Sequence, residues 1–135
     1  MRFTIQGHPN IQSIHKNTVE FTKDDYVTKR GDCILGINAD FSLKKLTKLA
    51  KRTNKVKVII SIDNFSDFFT AQTNPDFDDS HELVIRKSSF LSKRTFGICA
   101  NKAAVDIDRR IVEKLKDKDS EAVVKIVEAE NEKAS

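Results

Sequence analysis

The 135-residue chain has no tryptophan, one tyrosine, one methionine, two prolines, four glycines and two cysteines. Each scarcity excludes something. Cys33 and Cys99 form no CxxC, which argues against a zinc ribbon or a thioredoxin-type redox pair. Each sits in a β-like apolar run and is expected to be a buried free thiol, in keeping with a reducing cytoplasm. Walker A and GxGxxG phosphate loops are absent, as are HExxH and GxSxG. No apolar run approaches the ~20 residues of a membrane-spanning helix. The opening MRFTIQGHPN lacks the apolar core of a secretory signal. A cytoplasmic location without membrane contact is expected.

What the chain does have is charge of both signs and a core. A hydrophobic content of 39% suffices for one domain with a real interior. The net charge of +4 permits a polyanionic partner without demanding one. The basic residues gather on and around one segment: Lys29, Arg30, Lys44, Lys45, Lys48, Lys51, Arg52, Lys55 and Lys57.

The chain also resembles itself. Lys23, Tyr26, Val27, Thr28, Lys29 and Arg30 align with Lys87, Phe90, Leu91, Ser92, Lys93 and Arg94 at an offset of 64. Gly36-Ile37-Asn38-Ala39-Asp40 aligns with Gly97-Ile98-Cys99-Ala100-Asn101 at an offset of 61. The first copy therefore holds three more residues (64 − 61), and Gly31-Asp32 lies in that longer stretch. Repeat 1 is placed at about 17–62 and repeat 2 at about 81–128, with an Asp/Phe-rich linker at 63–80 and a polar tail at 129–135.

Arg2 to Gln6 alternates as a strand, and Gly7-His8-Pro9-Asn10 ends it, Gly7 admitting a positive φ. Val19 and Phe21 mark a second strand, and Cys33 to Ile37 a third. Leu43, Leu46 and Ala50 form the apolar stripe of a helix capped by Asp40 or Ser42. Lys55 to Ile62 reads as a buried strand. The linker, with five Asp, four Phe and no basic residue, reads as a surface loop pinned by its phenylalanines, or as a lid or partner-binding segment. Strands through Leu83 and Ile85 and over Thr95–Ala100 follow. A helix over about 102–116 capped by Asn101 and a strand over Ala122–Val127 complete the order. Tyr26 and Phe90 hold matching positions that read as core.

The expected fold class is α+β: a pseudo-twofold repeat of strand-strand-helix-strand units forming a partly closed β-barrel of about seven strands with two helices. It resembles the double-psi and related cradle-loop barrels, which also pair two such units, sometimes with a Gly-Asp turn like Gly31-Asp32.

Three groups of residues could carry chemistry. His8, His15 and Lys16 are candidate catalytic groups: a histidine exchanges protons near neutral pH, and a lysine steadies phosphorane charge. The alternative is that both histidines bond backbone groups. Arg30 and Arg94, at matching repeat positions, could clamp a phosphate, or else form ion pairs with Asp32 and with Asp106 or Asp108. Asn10, Lys44, Lys45, Lys48 and Lys102 are further candidates for phosphate or nucleic-acid contact. Asp24, Asp25, Asp32 and Asp40 are hard oxygen donors, but their spacing matches no recognised nuclease carboxylate set, so no metal site or cofactor is expected.

The motifs GHPNI (7–11), H-K-x-T (15–18), RGDC-I-x-G (30–36), RKS (86–88) and KAA-x-D-x-DRR (102–110) together resemble an uncharacterised family of small archaeal proteins, a domain of unknown function. The resemblance covers nearly the whole chain outside the linker and tail. It implies no established activity or catalytic residue beyond a loose nuclease label. The function expected is nucleic-acid binding or processing, RNA above DNA and nuclease-like in its extreme form. The alternatives are a protein that binds a small phosphorylated ligand or nucleotide, and a non-catalytic interaction module.

Overall fold

Alternation of apolar and polar side chains marks the strands of this chain. They are β1 (Arg2–Gln6), β2 (Thr18–Thr22), β3 (Ile34–Gly36), β4 (Lys55–Ile62), β5 (Phe65–Thr73), β6 (Glu82–Arg86), β7 (Thr95–Ile98) and β8 (Glu121–Glu128). They form one sheet in the order β1-β8-β4-β5-β7-β6-β2-β3. Helix α1 (Leu43–Arg52) links β3 to β4, and α2 (Arg109–Lys114) lies between β7 and β8. The computed structural model describes residues 1–129, so the expected polar tail from 130 onward lies outside the described residues. The class is α+β as expected, but the sheet has eight strands rather than about seven and is not closed. Its edge strands β1 and β3 touch at a single bridge, where Gln6 and Ile37 exchange N–H···O bonds of 2.8 and 3.0 Å.

The interior is built from the inward positions of these strands and one face of α1. Phe3 packs edge-to-face on Phe21 and Phe41, with ring centroids 5.5 and 5.7 Å apart. On α1, Leu46, Leu49 and Ala50 are buried, and Ser42 caps the helix by accepting from the Lys45 amide at 3.2 Å. Its exposed positions are Lys44, Lys45, Lys48, Lys51 and Arg52.

The expected linker is half strand. β5 runs antiparallel to β4 through a two-residue turn in which Asp63 adopts a φ of 52°. Aspartate tolerates that left-handed conformation better than most residues. The strand was obscured because Asp67 sits in a core-facing register position, breaking the alternation. Its carboxylate is compensated by Lys102 Nζ at 2.5 Å and by the Asp108 amide at 2.9 Å. A lid at 65–73 is therefore ruled out.

The expected second helix is broken. A 3-10 turn at Ala104–Asp106 is followed by extended Ile107 and by a helix of only six residues. Two aspartates compete with helical bonding: Asp106 accepts from the Ala103 amide at 3.0 Å and Asp108 from the Arg110 amide at 2.9 Å. Asp108, not Asn101, caps α2. Asp40 and Asn101 instead accept from the amides of Thr4 (2.7 Å) and Thr70 (2.9 Å), tying the chain after β3 to β1 and the chain after β7 to β5.

Three further expectations fail on exposure. Cys33 is half-buried, and Cys99 is exposed with a φ of 52°. Tyr26 and Phe90, read as core, are 60% and 61% exposed. They stand in the connections from β2 to β3 and from β6 to β7, while every position of β2 itself is buried.

Several backbone bonds occur in matched pairs. Glu20 N–H reaches Cys33 O at 2.9 Å and Val84 N–H reaches Arg94 O at 3.0 Å. Asn38 N–H reaches Asp24 O at 2.8 Å and Cys99 N–H reaches Ser88 O at 2.9 Å. β2–β3 and β6–β7 are both parallel pairs with a register shift.

Candidate functional site

Residues 7–17 form a loop that is held in place rather than free. Gly7 N–H bonds Ser120 O at 3.1 Å, His8 N–H bonds Leu115 O at 2.8 Å, and Ser13 Oγ donates to Ala104 O at 2.8 Å. Arg109 reinforces it, its guanidinium donating to Ile107 O, Ser13 O and Ala104 O at 2.7–2.9 Å. Asn10 Nδ2 donates to Val27 O at 3.1 Å, which makes Asn10 a brace between loops.

Both candidate histidines spend Nδ1 on this scaffold. His8 Nδ1 accepts from the Asn10 amide at 3.0 Å. His15 Nδ1 accepts from the Asn17 and Thr18 amides at 3.1 and 3.0 Å. A neutral ring accepting at Nδ1 carries its proton on Nε2. In this arrangement each ring offers an N–H donor and no free lone pair, so neither is set up as a general base. Lys16, the neighbour of His15 in the chain, is exposed.

A second group is centred on a buried carboxyl of β2. The Glu20 side chain on β2 is 7% exposed and lies 3.9 Å from Arg94 Nη1, which also meets Glu82 Oε2 at 3.1 Å. Cys33 Sγ stands 3.7 Å from Glu20 Oε1. Burial, then the neighbouring Glu82 carboxyl, pushes Glu20 up to about 8. Burial, then the Glu20 charge, pushes the Cys33 thiol up to about 12, which leaves no thiolate for nucleophilic chemistry. Arg94 thus pairs with Glu82 and Glu20, not with Asp106 or Asp108. Arg30 is exposed, and among the described residues it makes no ion pair with Asp32.

The third group is the cationic face of α1. Lys44, Lys45, Lys48, Lys51 and Arg52 are exposed. Arg52 meets Glu128 at 3.4 Å across a solvent-exposed gap. Two clefts flank this face and share Arg52. One, of about 510 Å³, is lined by Lys51, Arg52, Thr53, Asn54, Thr73 and Pro75. The other, of about 170 Å³, is lined by Met1, Lys45, Lys48, Leu49 and Arg52. Lys102 lies elsewhere, bonded to Asp67.

No side-chain bond joins these three groups among the described residues, although the His15 amide bonds Asp32 O at 3.2 Å, next to Cys33. Among the described residues no three His, Cys, Asp or Glu side chains gather as a metal site, and no helix is long and apolar enough to cross a membrane. Sequence reasoning missed the Asp24–His81 contact of 2.6 Å, the Arg109 staple and the exposure of Phe68. The last had a signal: Phe68 and Phe69 are adjacent in an alternating run, and one of two neighbours must face out.

The motifs that set this sequence apart are largely scaffold. Gly7, His8 and Asn10 of GHPNI seat the loop, and Asp106, Asp108 and Arg109 of KAA-x-D-x-DRR shape the turn into α2. The uncharacterised protein MJ0206 of Methanocaldococcus jannaschii is 38% identical over 135 residues, covering 94% of this chain and 99% of that protein. A family model described as a domain of unknown function, DUF371, matches residues 3–129. With its motifs placed on one continuous fold and matched from end to end, the chain belongs to the DUF371 family.

Proposed function

We propose that this protein binds nucleic acid, RNA above all, through phosphate contacts along α1 and the adjoining β4. The observation that carries this is charge distribution. Residues 41–62 hold seven cations (Lys44, Lys45, Lys48, Lys51, Arg52, Lys55, Lys57) and no carboxylate. The whole chain is +4, so everything outside that tract sums to −3 (4 − 7). The corresponding stretch around α2, residues 102–128, holds seven cations and seven carboxylates. A helix and strand in this setting therefore do not require an acid-free surface. Each phosphate neutralised releases condensed counterions, so such a surface gains affinity at low salt.

In this reading His8 and His15 contribute Nε2–H donors and Lys16 a charge to the bound backbone, and the activity is binding rather than cleavage. A small phosphorylated ligand held between Arg30 and Arg94 is less favoured, because Arg94 is engaged by Glu82 and Glu20.

Replacing Lys44, Lys45 and Lys48 together by Glu is expected to weaken binding of a labelled single-stranded RNA about 100-fold at about 50 mM salt and to lower the log–log salt slope by about 2. Fluorescence anisotropy measures both, and the melting temperature should hold because the three side chains are exposed. Unchanged affinity would reject this surface.

We also infer that the chain is a duplication of a five-element unit. Bonds at Glu20 and Val84, and at Asn38 and Cys99, keep the offsets of 64 and 61 found between the matching sequences. The pattern extends to β1 and β5, where Thr4 with Asp40 parallels Thr70 with Asn101. With its three additional residues the first copy makes two consecutive turns, Gly31 N–H on Thr28 O at 2.9 Å and Ile34 N–H on Gly31 O at 3.1 Å, where the second makes one, Thr95 N–H on Ser92 O at 3.1 Å. On this reading the Gln6–Ile37 bridge is the counterpart of the Gln72–Ile98 pair, and the sheet is a partly closed barrel drawn together there.

A further inference from the structure

We propose that the open face of β1-β8-β4-β5 is a stacking platform for single-stranded nucleic acid, with Phe68 as the residue on which a base stacks. This rests on the nucleic-acid reading above and adds to it the form of the strand and the contact that recognises it.

Sheet register places Arg2, Lys125, Ile59 and Phe68 in one cross-strand row, Arg2 opposite Lys125, Lys125 opposite Ile59, and Ile59 opposite Phe68. At the spacing of neighbouring strands the row is ~14 Å long. It therefore runs from two cations at one end to an aromatic ring at the other. Phe69, Ala71 and Thr73 of β5 point into the core, so Phe68 faces the other way and is 50% exposed. Core packing does not require it to be aromatic.

Its surroundings say what it suits. Lys57 Nζ lies 4.2 Å from the ring centroid and Lys102 Nζ 5.9 Å. Lys57 belongs to the acid-free tract of α1 and β4, so the platform and that tract share a cation. The nearby carboxylate, Asp67, is 13% exposed and bonded to Lys102 and to the Asp108 amide; it anchors Lys102 and partly offsets its charge. A ring flanked by ammonium groups fits a ligand with an aromatic face and negative charge on either side of it, which is a nucleotide in a strand. An exposed lysine–ring contact is weaker than a base–aromatic stack. A base can therefore displace the Lys57 ammonium, which stays within reach of the adjoining phosphate. In a duplex the base faces are already stacked on each other and cannot reach the ring.

The test compares the protein with its Phe68→Leu and Phe68→Tyr variants. Fluorescence anisotropy is read with labelled single strands of about 12 nucleotides, RNA and DNA, and with a duplex of the same length, at about 50 mM salt. Phe68→Leu is expected to weaken single-strand binding about 10-fold, to change duplex binding less than about 2-fold, and to leave the melting temperature in place. Phe68→Tyr is expected to keep single-strand affinity. If the unmodified protein binds single strands and Phe68→Leu binds them equally well, the platform is wrong and the phosphate reading survives. Equal losses for Leu and Tyr would also overturn the stack. If the unmodified protein binds neither form, both readings fall.

Discussion

Gly7→Ala is expected to cost about 4 kcal/mol of folding stability, enough to unfold a marginal domain. A Cβ at this position would stand 2.1 Å from Asp117 O, 2.5 Å from Leu115 O and 2.3 Å from Ser120 Oγ. Two of the three are backbone carbonyls of the turn after α2, which cannot rotate away as a side chain can. Moving the loop outward would stretch the bonds from Gly7 N–H to Ser120 O and from His8 N–H to Leu115 O. Overpacking costs ~1–3 kcal/mol and each lost hydrogen bond ~1 kcal/mol, which together give the stated size. Urea denaturation of the variant measures it, and a loss below about 1 kcal/mol would show that the loop re-seats without strain. The glycine is needed here for close approach, since its φ is not positive.

A second large effect concerns pH. Stability should fall as pH rises from about 4.5 to about 8, and Glu20→Gln should remove most of that slope. The Glu20 carboxyl has an ordinary value of 4.5 and a folded value of about 8, raised by burial and then by Glu82. Below pH 4.5 both states are protonated, and the group makes no difference. Between the two values the folded protein keeps a proton that the unfolded chain releases, so folding is progressively disfavoured. Above pH 8 the loss is complete. At ~1.4 kcal/mol per pH unit the full interval, which already includes the opposing pull of Arg94, is worth at most about 5 kcal/mol, and a loss on the order of 3 kcal/mol is expected because Glu20 shares its proton with Glu82. Glutamine matches the protonated form in shape and can still hydrogen-bond to Glu82. The variant should therefore exceed the parent in stability by about 3 kcal/mol at pH 8.5 and differ little at pH 4.5. Urea midpoints at both pH values decide the matter; a slope that persists in the variant belongs to other groups.

What could be read from the sequence was whatever periodicity and local chemistry determine. The strand at Arg2–Gln6, the helix with Leu46 and Ala50 inward, and the Ser42 cap all follow from spacing within one element. What could not be read depended on partners far along the chain. Asp67 looked like a loop residue because its compensation comes from Lys102 and the Asp108 amide, 35 and 41 residues away. Asp40 and Asn101 looked like caps because the amides they hold, at Thr4 and Thr70, belong to strands that only the topology brings alongside. Tyr26 and Phe90 looked like core because apolar residues in a recurring pattern usually are, whereas here both side chains stand exposed on loops. At the candidate site the basic tract was visible as composition. The commitment of each histidine Nδ1 to a backbone amide was not, since it depends on how the loop turns.

The pairing of β1 with β8 has a consequence for synthesis. Arg2 finds its partner at Lys125 and Gln6 at Glu121. At ~5–20 residues per second, a ribosome needs on the order of ten seconds to deliver the second strand after the first. Throughout that time β1 lacks the strand that pairs along its length, although Phe3 already has Phe21 and Phe41 to pack on, and the nascent chain must keep an apolar strand from pairing elsewhere. The sheet is completed only once β8 has been made, so a product truncated or stalled before it leaves β1 exposed as a sticky edge, a natural target for chaperones and quality-control proteases.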